Sequence, residues 1–445
     1  MPLNLTLLER SMVRGTIWTL FNVGIGQISR LVKSLILSRL LFPEIYGTMA
    51  LVWSTLIILG LLSDVGIVQA VVKSKRGDER EFLNTAWTMK LVRGLVLFLT
   101  TVCLAIPVAS FFDQSQLKLL LPAAGFVFFI EAFASTKVYQ AQRALEYTLV
   151  SYLSVAKELL GLLATIVLAF FYPTAWSLIG GALLTSMFYV FGSHYFLKGV
   201  NNEIYWNKDA LKELLNFGKW VFLSSAIFVL YSQGDRLLLA KYLSPTLLGH
   251  YAVAVLLSEA LGGVITKLVD TVFFPTASRV AISQSGTLGK FLYKTRFVTD
   301  ALFVFPAILL ASLGSLLVQI LYEPRYYGAG WMLQILAVRL TIFSLHYVGA
   351  AVLFALGLPI YSMIQNICRV TWLFLGVPVA WKHFGPIGVV WVVALTEIPV
   401  LFLVWIGLYK NNLLSIIHEL RGFFIVLLGL LTGQSILKLI PIASG

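Results

Sequence analysis

Arg30 and Lys33 stand inside an apolar run one helical turn apart, and Gly26 and Asn22 continue the same polar stripe at helical spacing. An ionisable group near the centre of such a span costs about 2.5–3.5 kcal/mol on insertion scales, so it faces a protein interior or a wet cavity. Two cations one turn apart also repel each other unless an anion lies between them. Arginine and lysine supply the charge-assisted donors that a phosphate or diphosphate needs. The chemistry on offer is recognition of an anionic headgroup within a membrane. Ser225, Ser232, Asp235 and Arg236 write a corresponding stripe farther along the chain, and Arg339, Arg369 and Glu397 also lie well inside apolar runs. The cations of this set slightly outnumber the acids, which favours an anionic cargo. A purely structural alternative stands beside it: Arg30 or Lys33 pairs with Asp235 and holds two halves of the protein together.

A second set has the look of a brace. Asp64 and Lys90 in the first half are echoed by Asp270 and Arg296 in the second, and Arg93 falls at a depth similar to that of Asp64. An ion pair within each hairpin is the economical way to carry these charges. The alternative is a gate, whose pairs break when the cytoplasmic side opens. Asp235, Asp64, Asp270 and Glu397 are then candidates for coupling the motion to a cation or to the membrane potential.

The elements that must position these residues follow from composition. Of 445 residues, 59% are hydrophobic and only 12% are charged, and the mean hydropathy is +0.89. Soluble domains carry roughly twice that share of charge. Apolar runs of about 20 residues recur along almost the whole length, long enough to cross a bilayer as helices. The short alternating segments of a membrane β-barrel are missing. The chain is therefore expected to be an all-α polytopic membrane protein. Spans are predicted at 12–40, 45–72, 84–112, 116–142, 148–172, 174–197, 214–242, 246–280, 289–321, 327–356, 360–382 and 386–409. A further apolar run at 422–440 either crosses as well or lies at the interface. No cleavable signal peptide is expected.

Charge sets the orientation. The formal net charge of +13 would suggest nucleic acid in a soluble protein. Here it reads as Lys and Arg concentrated in the loops of one side, which the positive-inside rule assigns to the cytoplasm together with the N-terminus. Cys103 and Cys368 both sit in apolar segments and imply neither a disulfide nor a metal, and no cofactor is expected. There is no phosphate-binding GxxxxGK[ST] run and no HExxH. The loops are too short to hold the sugars and acids of a membrane glycosyltransferase or polymerase, so an enzyme is disfavoured.

One junction is written twice. "LVKSLILSRLLFPEIYGTMA" (31–50) and "QGDRLLLAKYLSPTLLGHYA" (233–252) align without a gap, sharing Leu35/Leu237, Leu37/Leu239, Leu41/Leu243, Pro43/Pro245, Gly47/Gly249 and Ala50/Ala252. Proline suits the first turn of a helix, where its missing N–H is not needed, and a glycine one turn later lets a neighbouring helix approach. Six spans separate the copies, so both halves enter the membrane from the same side. They are expected to be two six-helix bundles related by a pseudo-two-fold along the membrane normal. The expected organisation is an N-terminal lobe at 1–197, a cytoplasmic linker at 198–213, a C-terminal lobe at 214–410 and an additional apolar helix within 411–445.

At these junctions, at "LLSDVGIVQAVVKSKRGD" and at "SQGDRLLLAKYL", the chain resembles the polysaccharide transporter branch of the multidrug/oligosaccharidyl-lipid/polysaccharide exporter superfamily. The resemblance covers residues 10–410 and is carried by spans and junctions, not by a catalytic signature. It implies two lobes around a central cavity. It also implies movement of undecaprenyl-diphosphate-linked oligosaccharide from the inner to the outer leaflet of a bacterial cytoplasmic membrane, for O-antigen, capsule or exopolysaccharide. Arg30, Lys33 and Arg236 then match cavity-lining charges. The partners implied are the lipid-linked oligosaccharide, membrane lipid, and a glycan polymerase with glycosyltransferases; no nucleic acid is expected. The last apolar run departs from a twelve-span pattern. A cation-coupled multidrug exporter on the same fold is the nearest alternative, and it calls for acids and aromatics where Arg30 and Lys33 stand.

Overall fold

The computed structural model describes residues 24–144, 146–283 and 288–439. All regular structure among them is helical. In chain order the helices are α1 (24–40), α2 (Pro43–Leu62), α3 (Ile67–Lys73), α4 (Arg80–Phe111), α5 (Leu117–Ala132), α6 (Lys137–Arg143), α7 (Tyr147–Phe171) and α8 (Ala175–Tyr195). They continue as α9 (Lys208–Tyr242), α10 (Pro245–Leu268), α11 (Phe274–Ser283), α12 (Leu288–Leu321), α13 (Ala329–Ala355), α14 (Ile360–Leu395), α15 (Glu397–Lys410) and α16 (Ile416–Leu439). Among the described residues, 9 helices are long and apolar enough to span a bilayer, or 10 if α5 and α6, bent by 62°, count as one broken span. The described ends agree with the predicted spans to within about six residues; the start predicted at residue 12 lies outside the described residues.

One of those long stretches, Ile360–Lys410, is two spans. A straight helix would separate its ends widely, yet Trp372 Nε1 donates to the Val392 carbonyl at 3.0 Å. The chain doubles back at Gly385, whose φ of 59° and ψ of −147° lie in a region open essentially to glycine alone. Pro386 follows directly and restarts the helix. Gly385→Ala is expected to destabilise the protein by about 1–3 kcal/mol, because a Cβ is strained at this φ/ψ whatever space surrounds it. Thermal denaturation in detergent measures the loss, and an unchanged midpoint would show that the turn has an unstrained alternative.

The chain forms two compact units, the first ending at Gln233 and the second starting at Gly234, within α9. In the first, antiparallel neighbours are zipped by small residues. Gly161 and Thr165 on α7 meet Thr185 and Gly181 on α8, while Gly94 on α4 meets Ala132 and Gly125 on α5 meets Thr101. Without a hydrophobic drive between helices in lipid, such close backbone approach supplies the packing energy. The polar stretch predicted as a linker is bound along α4 instead of hanging loose. The backbone N–H groups of Glu203, Tyr205 and Asn207 donate to Asn84 Oδ1, Thr88 Oγ1 and Thr85 Oγ1. Asn202 exchanges hydrogen bonds with Ser135 and Thr136.

Both copies of the repeated junction fold alike. Leu41 N donates to Leu37 O at 2.8 Å and Leu243 N to Leu239 O at 2.7 Å, closing α1 and α9, and Pro43 and Pro245 then open α2 and α10. All four leucines are buried, as are Gly47 and Gly249. In the second unit the core gathers α10, α12 and α13 around residues such as Ile265, Phe303 and Val348.

The last apolar run crosses with the bundle. Gly422, Gly429 and Gly433 on α16 fall against Asp300 and Leu345, Ile308, and Ser312 respectively, so α16 climbs α12 in steady parallel register. α12 is itself a span, and a helix parallel to it over that length shares its passage. The alternative of an interfacial helix is thereby set aside.

Candidate functional site

Arg339, His346 and Arg369 of the second unit converge on Glu397, at the start of α15 and 1% exposed. Arg369 on α14 donates from Nη2 at 2.7 Å and from Nε at 3.1 and 3.2 Å, a fork that engages both carboxylate oxygens. The hairpin turn at Gly385 brings these two residues opposite each other. His346 Nε2 lies 3.0 Å from Oε2, and Arg339 Nε approaches Oε1 at 3.7 Å. Arg339 and His346 stand two turns apart on one face of α13. The bidentate fork and the imidazole together supply the hydrogen bonds that a carboxylate buried in this interior needs.

Asp235, 7% exposed, accepts a hydrogen bond from Tyr251 Oη at 2.6 Å and one from the Arg236 backbone N–H at 2.8 Å. The Arg236 guanidinium pairs with Glu259 at 3.0 Å and lies within electrostatic reach of Arg339. Three arginines, at 236, 339 and 369, thus stand among three acids, at 235, 259 and 397. Their charges balance, so the excess of cations expected from the sequence is not found in this unit's network. Sequence reasoning missed His346 and Glu259. Spacing offered a signal for the first, since His346 is seven residues after Arg339.

The first unit carries the excess. Arg30 is exposed on α1, with Nε donating to the Gly26 carbonyl at 3.3 Å, and Lys33 is half-buried. Among the described residues neither has a carboxylate within 4.0 Å. Asn22 and the Ser225 side chain, the outer members of the two stripes, lie outside the described residues. A half-buried pair the sequence did not single out is Lys157 with Glu131, at 3.0 Å, joined by Ser186 Oγ at 3.1 Å.

The braces expected within the hairpins are not formed as ion pairs within 4.0 Å, although Asp64 lies within electrostatic reach of Arg93, and the reason is local satisfaction. Asp64 Oδ1 accepts the Gly66 backbone N–H at 2.9 Å, a tight turn that ends α2. Arg93 instead donates to the Gly60 carbonyl and Ser63 Oγ, and Lys90 to the Ala134 carbonyl, where helices end with unsatisfied oxygens. In the second unit Asp270, within a π-helical turn (Val269–Phe273), accepts from Tyr347 Oη at 2.9 Å. Arg296 is bound to Glu419 on α16 and to the Leu345 carbonyl, with Asp300 at 3.6 Å. No group of three His, Cys, Asp or Glu able to hold a metal occurs among the described residues.

This chain, an all-helical arrangement of long apolar helices among the described residues, has counterparts among solved structures. Its fold matches the lipid II flippase MurJ in an inward closed conformation, with a TM-score of 0.71 and 12% identity over 96% of this chain and 98% of that one. It also matches an inward-facing multidrug resistance MATE family transporter of the MOP superfamily, with a TM-score of 0.62 and 15% identity over 90% and 95% of the two chains. Residues 36–335 match the polysaccharide biosynthesis protein family, and the chain belongs to that family. It is similar to the lipopolysaccharide biosynthesis protein WzxC of Escherichia coli (strain K12), 23% identical over 82% of this chain and 71% of that protein. It also resembles the teichuronic acid biosynthesis protein TuaB of Bacillus subtilis (strain 168), 22% identical over 62% of this chain and 57% of that protein.

Proposed function

We propose that this protein is a flippase that moves undecaprenyl-diphosphate-linked oligosaccharide across the cytoplasmic membrane, by alternating access, for surface polysaccharide assembly. The observation that carries this reading is the pair Arg30 and Lys33, cations on a membrane helix with no carboxylate within 4.0 Å among the described residues, Glu158 lying only within electrostatic reach of Lys33. A diphosphate supplies a counter-charge in direct contact. The N-terminus lies on the cytoplasmic side, where the lipid-linked sugar is made, and a glycan polymerase and glycosyltransferases act after and before it. Family membership and the relatives' printed roles support the same assignment.

The coupling role fits some acids better than others. Glu397 and Asp235 are tied into hydrogen-bonded networks that hold helices together. Asp64 and Asp270 have no cationic side chain within 4.0 Å among the described residues, and Asp270 occupies a π-helical turn, a feature frequent at functional sites. These two are the candidates for binding a coupling cation, with Lys90 and Arg93 fixing helix ends in the first unit and Arg296 tying α12 to α13 and α16 in the second. The experiment is a leaflet-exposure assay. Purified protein in vesicles receives labelled lipid-linked sugar on one side, under an imposed potential and ion gradients. Labelled headgroups are expected to appear on the far side at a rate that scales with protein; headgroups that stay inaccessible under every gradient would remove the assignment.

A further inference from the structure

The N-terminal halves of α12 and α16 enclose a cleft that the transport reading does not use. Its outer part, about 510 Å³, is lined by Lys290, Lys294, Tyr293, Phe297, His418 and Arg421. It continues past Tyr293, Phe297, His418 and Arg421 into a chamber of about 300 Å³ that reaches Asp300. Lys290 and Lys294 sit one turn apart on α12, and Arg421 faces them from α16. None of the three has a carboxylate within 4.0 Å among the described residues. Glu419, the nearest acid of α16, is consumed by Arg296, Tyr293 and Trp405 Nε1.

Because α12 and α16 run parallel, their N-termini lie at the same end, and both helix dipoles add positive potential there. His418 Nδ1 shares a hydrogen bond with Ser415 Oγ at 2.7 Å, which holds the imidazole at the cleft wall. The cleft mouth therefore asks for a phosphate. The chamber asks for something else. Asp300 is 3% exposed, and its Oδ1 is buried with no hydrogen-bond partner among the described residues. A buried carboxylate oxygen of this kind is costly unless a donor reaches it. Phe297 and Phe424 flank the opening and are strongly exposed, which suits an acyl or prenyl chain leaving the cleft into the bilayer.

We propose that this cleft binds a lipid phosphate carrying a hydroxylated headgroup, with Lys290, Lys294 and Arg421 on the phosphate and the Asp300 carboxylate accepting from a headgroup hydroxyl. Two lipids carry that chemistry: a phospholipid such as phosphatidylglycerol, and a polyprenyl-diphosphate sugar. The inference stands on the second unit alone and does not depend on the transport reading. Its occupant would clamp α16 to α12 at the charged end of the bundle.

The test is lipid binding to the purified full chain in detergent, read by native mass spectrometry. Phosphatidylglycerol is expected to bind at least about tenfold tighter than phosphatidylcholine, which carries a compensating charge. Phosphatidic acid, which has the phosphate without the hydroxyls, is expected to fall between them. Lys290→Gln/Lys294→Gln/Arg421→Gln should abolish the preference for anionic lipid while leaving the melting temperature within a few degrees. Asp300→Ala should bring phosphatidylglycerol down to the level of phosphatidic acid. Competition assigns the source. Displacement of phosphatidylglycerol by a short-chain polyprenyl-diphosphate sugar at lower concentration makes the site one for cargo lipid; weaker competition makes it one for bilayer phospholipid. A triple variant that binds phosphatidylglycerol like the parent protein overturns the phosphate site. Equal affinity of the parent protein for phosphatidylglycerol and phosphatidic acid overturns the hydroxyl contact, whether or not the Asp300 variant folds.

Discussion

Glu397→Gln is expected to lower the melting temperature of the detergent-solubilised protein by on the order of 10 °C, more than any exposed charge substitution. The amide keeps the shape of the side chain but removes the charge that Arg369 grips through three contacts of 2.7–3.2 Å. It leaves a guanidinium that is 6% exposed without its counter-ion. Breaking a buried pair by removing one partner costs about 3–5 kcal/mol. For a cooperative body of this size each kcal/mol moves the midpoint by roughly 2–4 °C. Arg369→Gln should be comparably damaging, because it strands the carboxylate. The double variant Glu397→Gln/Arg369→Gln should be less unstable than the sum of the two, with a coupling of about 1–3 kcal/mol. Simple additivity would mean that the fork is not the interaction that joins α14 to α15.

The second large effect belongs to transport and should leave stability untouched. Arg30→Ala/Lys33→Ala is expected to slow the far-leaflet appearance of labelled lipid-linked sugar by at least about a hundredfold. Hydrogen bonds to charged groups contribute about 1.5–3 kcal/mol each, and two are removed. Arg30 bonds to the carbonyl of Gly26 in its own helix, and Lys33 feels Glu158 on α7 only beyond ion-pair distance. Melting temperature and membrane insertion should therefore match the parent protein. Lys118→Ala, the removal of an exposed cation at the start of α5, serves as the control and should transport normally. Normal translocation by the double variant would end the case for a cationic headgroup patch on α1.

The charge partners show how far linear sequence reaches. Arg296 could be recognised as a cation that a span must shelter, yet its carboxylate partner, Glu419, is 123 residues away on a helix whose passage through the membrane was itself open. The echo of Asp64 and Lys90 in Asp270 and Arg296 pointed to pairs within hairpins. Local geometry overrode it: a turn N–H satisfied Asp64, and the open carbonyls of helix ends took Arg93 and Lys90. Arg369 and Glu397, 28 residues apart, were both legible as intramembrane charges. The sequence placed a break between spans at 383–385, where Gly385 stands before Pro386, but only the packing of the two arms across that reversal made Arg369 and Glu397 partners.

The family, the helical class and the span boundaries were written in the chain itself, because a bilayer demands long apolar helices and penalises every exception. The repeated Pro–Gly junction was equally plain, since a helix start is a local event governed by residues a few positions apart. Tertiary structure alone decided which cations are neutralised and which are not. Opposite charges in lipid must find each other across helices, and the distance that matters there is measured through space. For the same reason only packing could place α16 in parallel beside α12, where three glycines on one face find their neighbours.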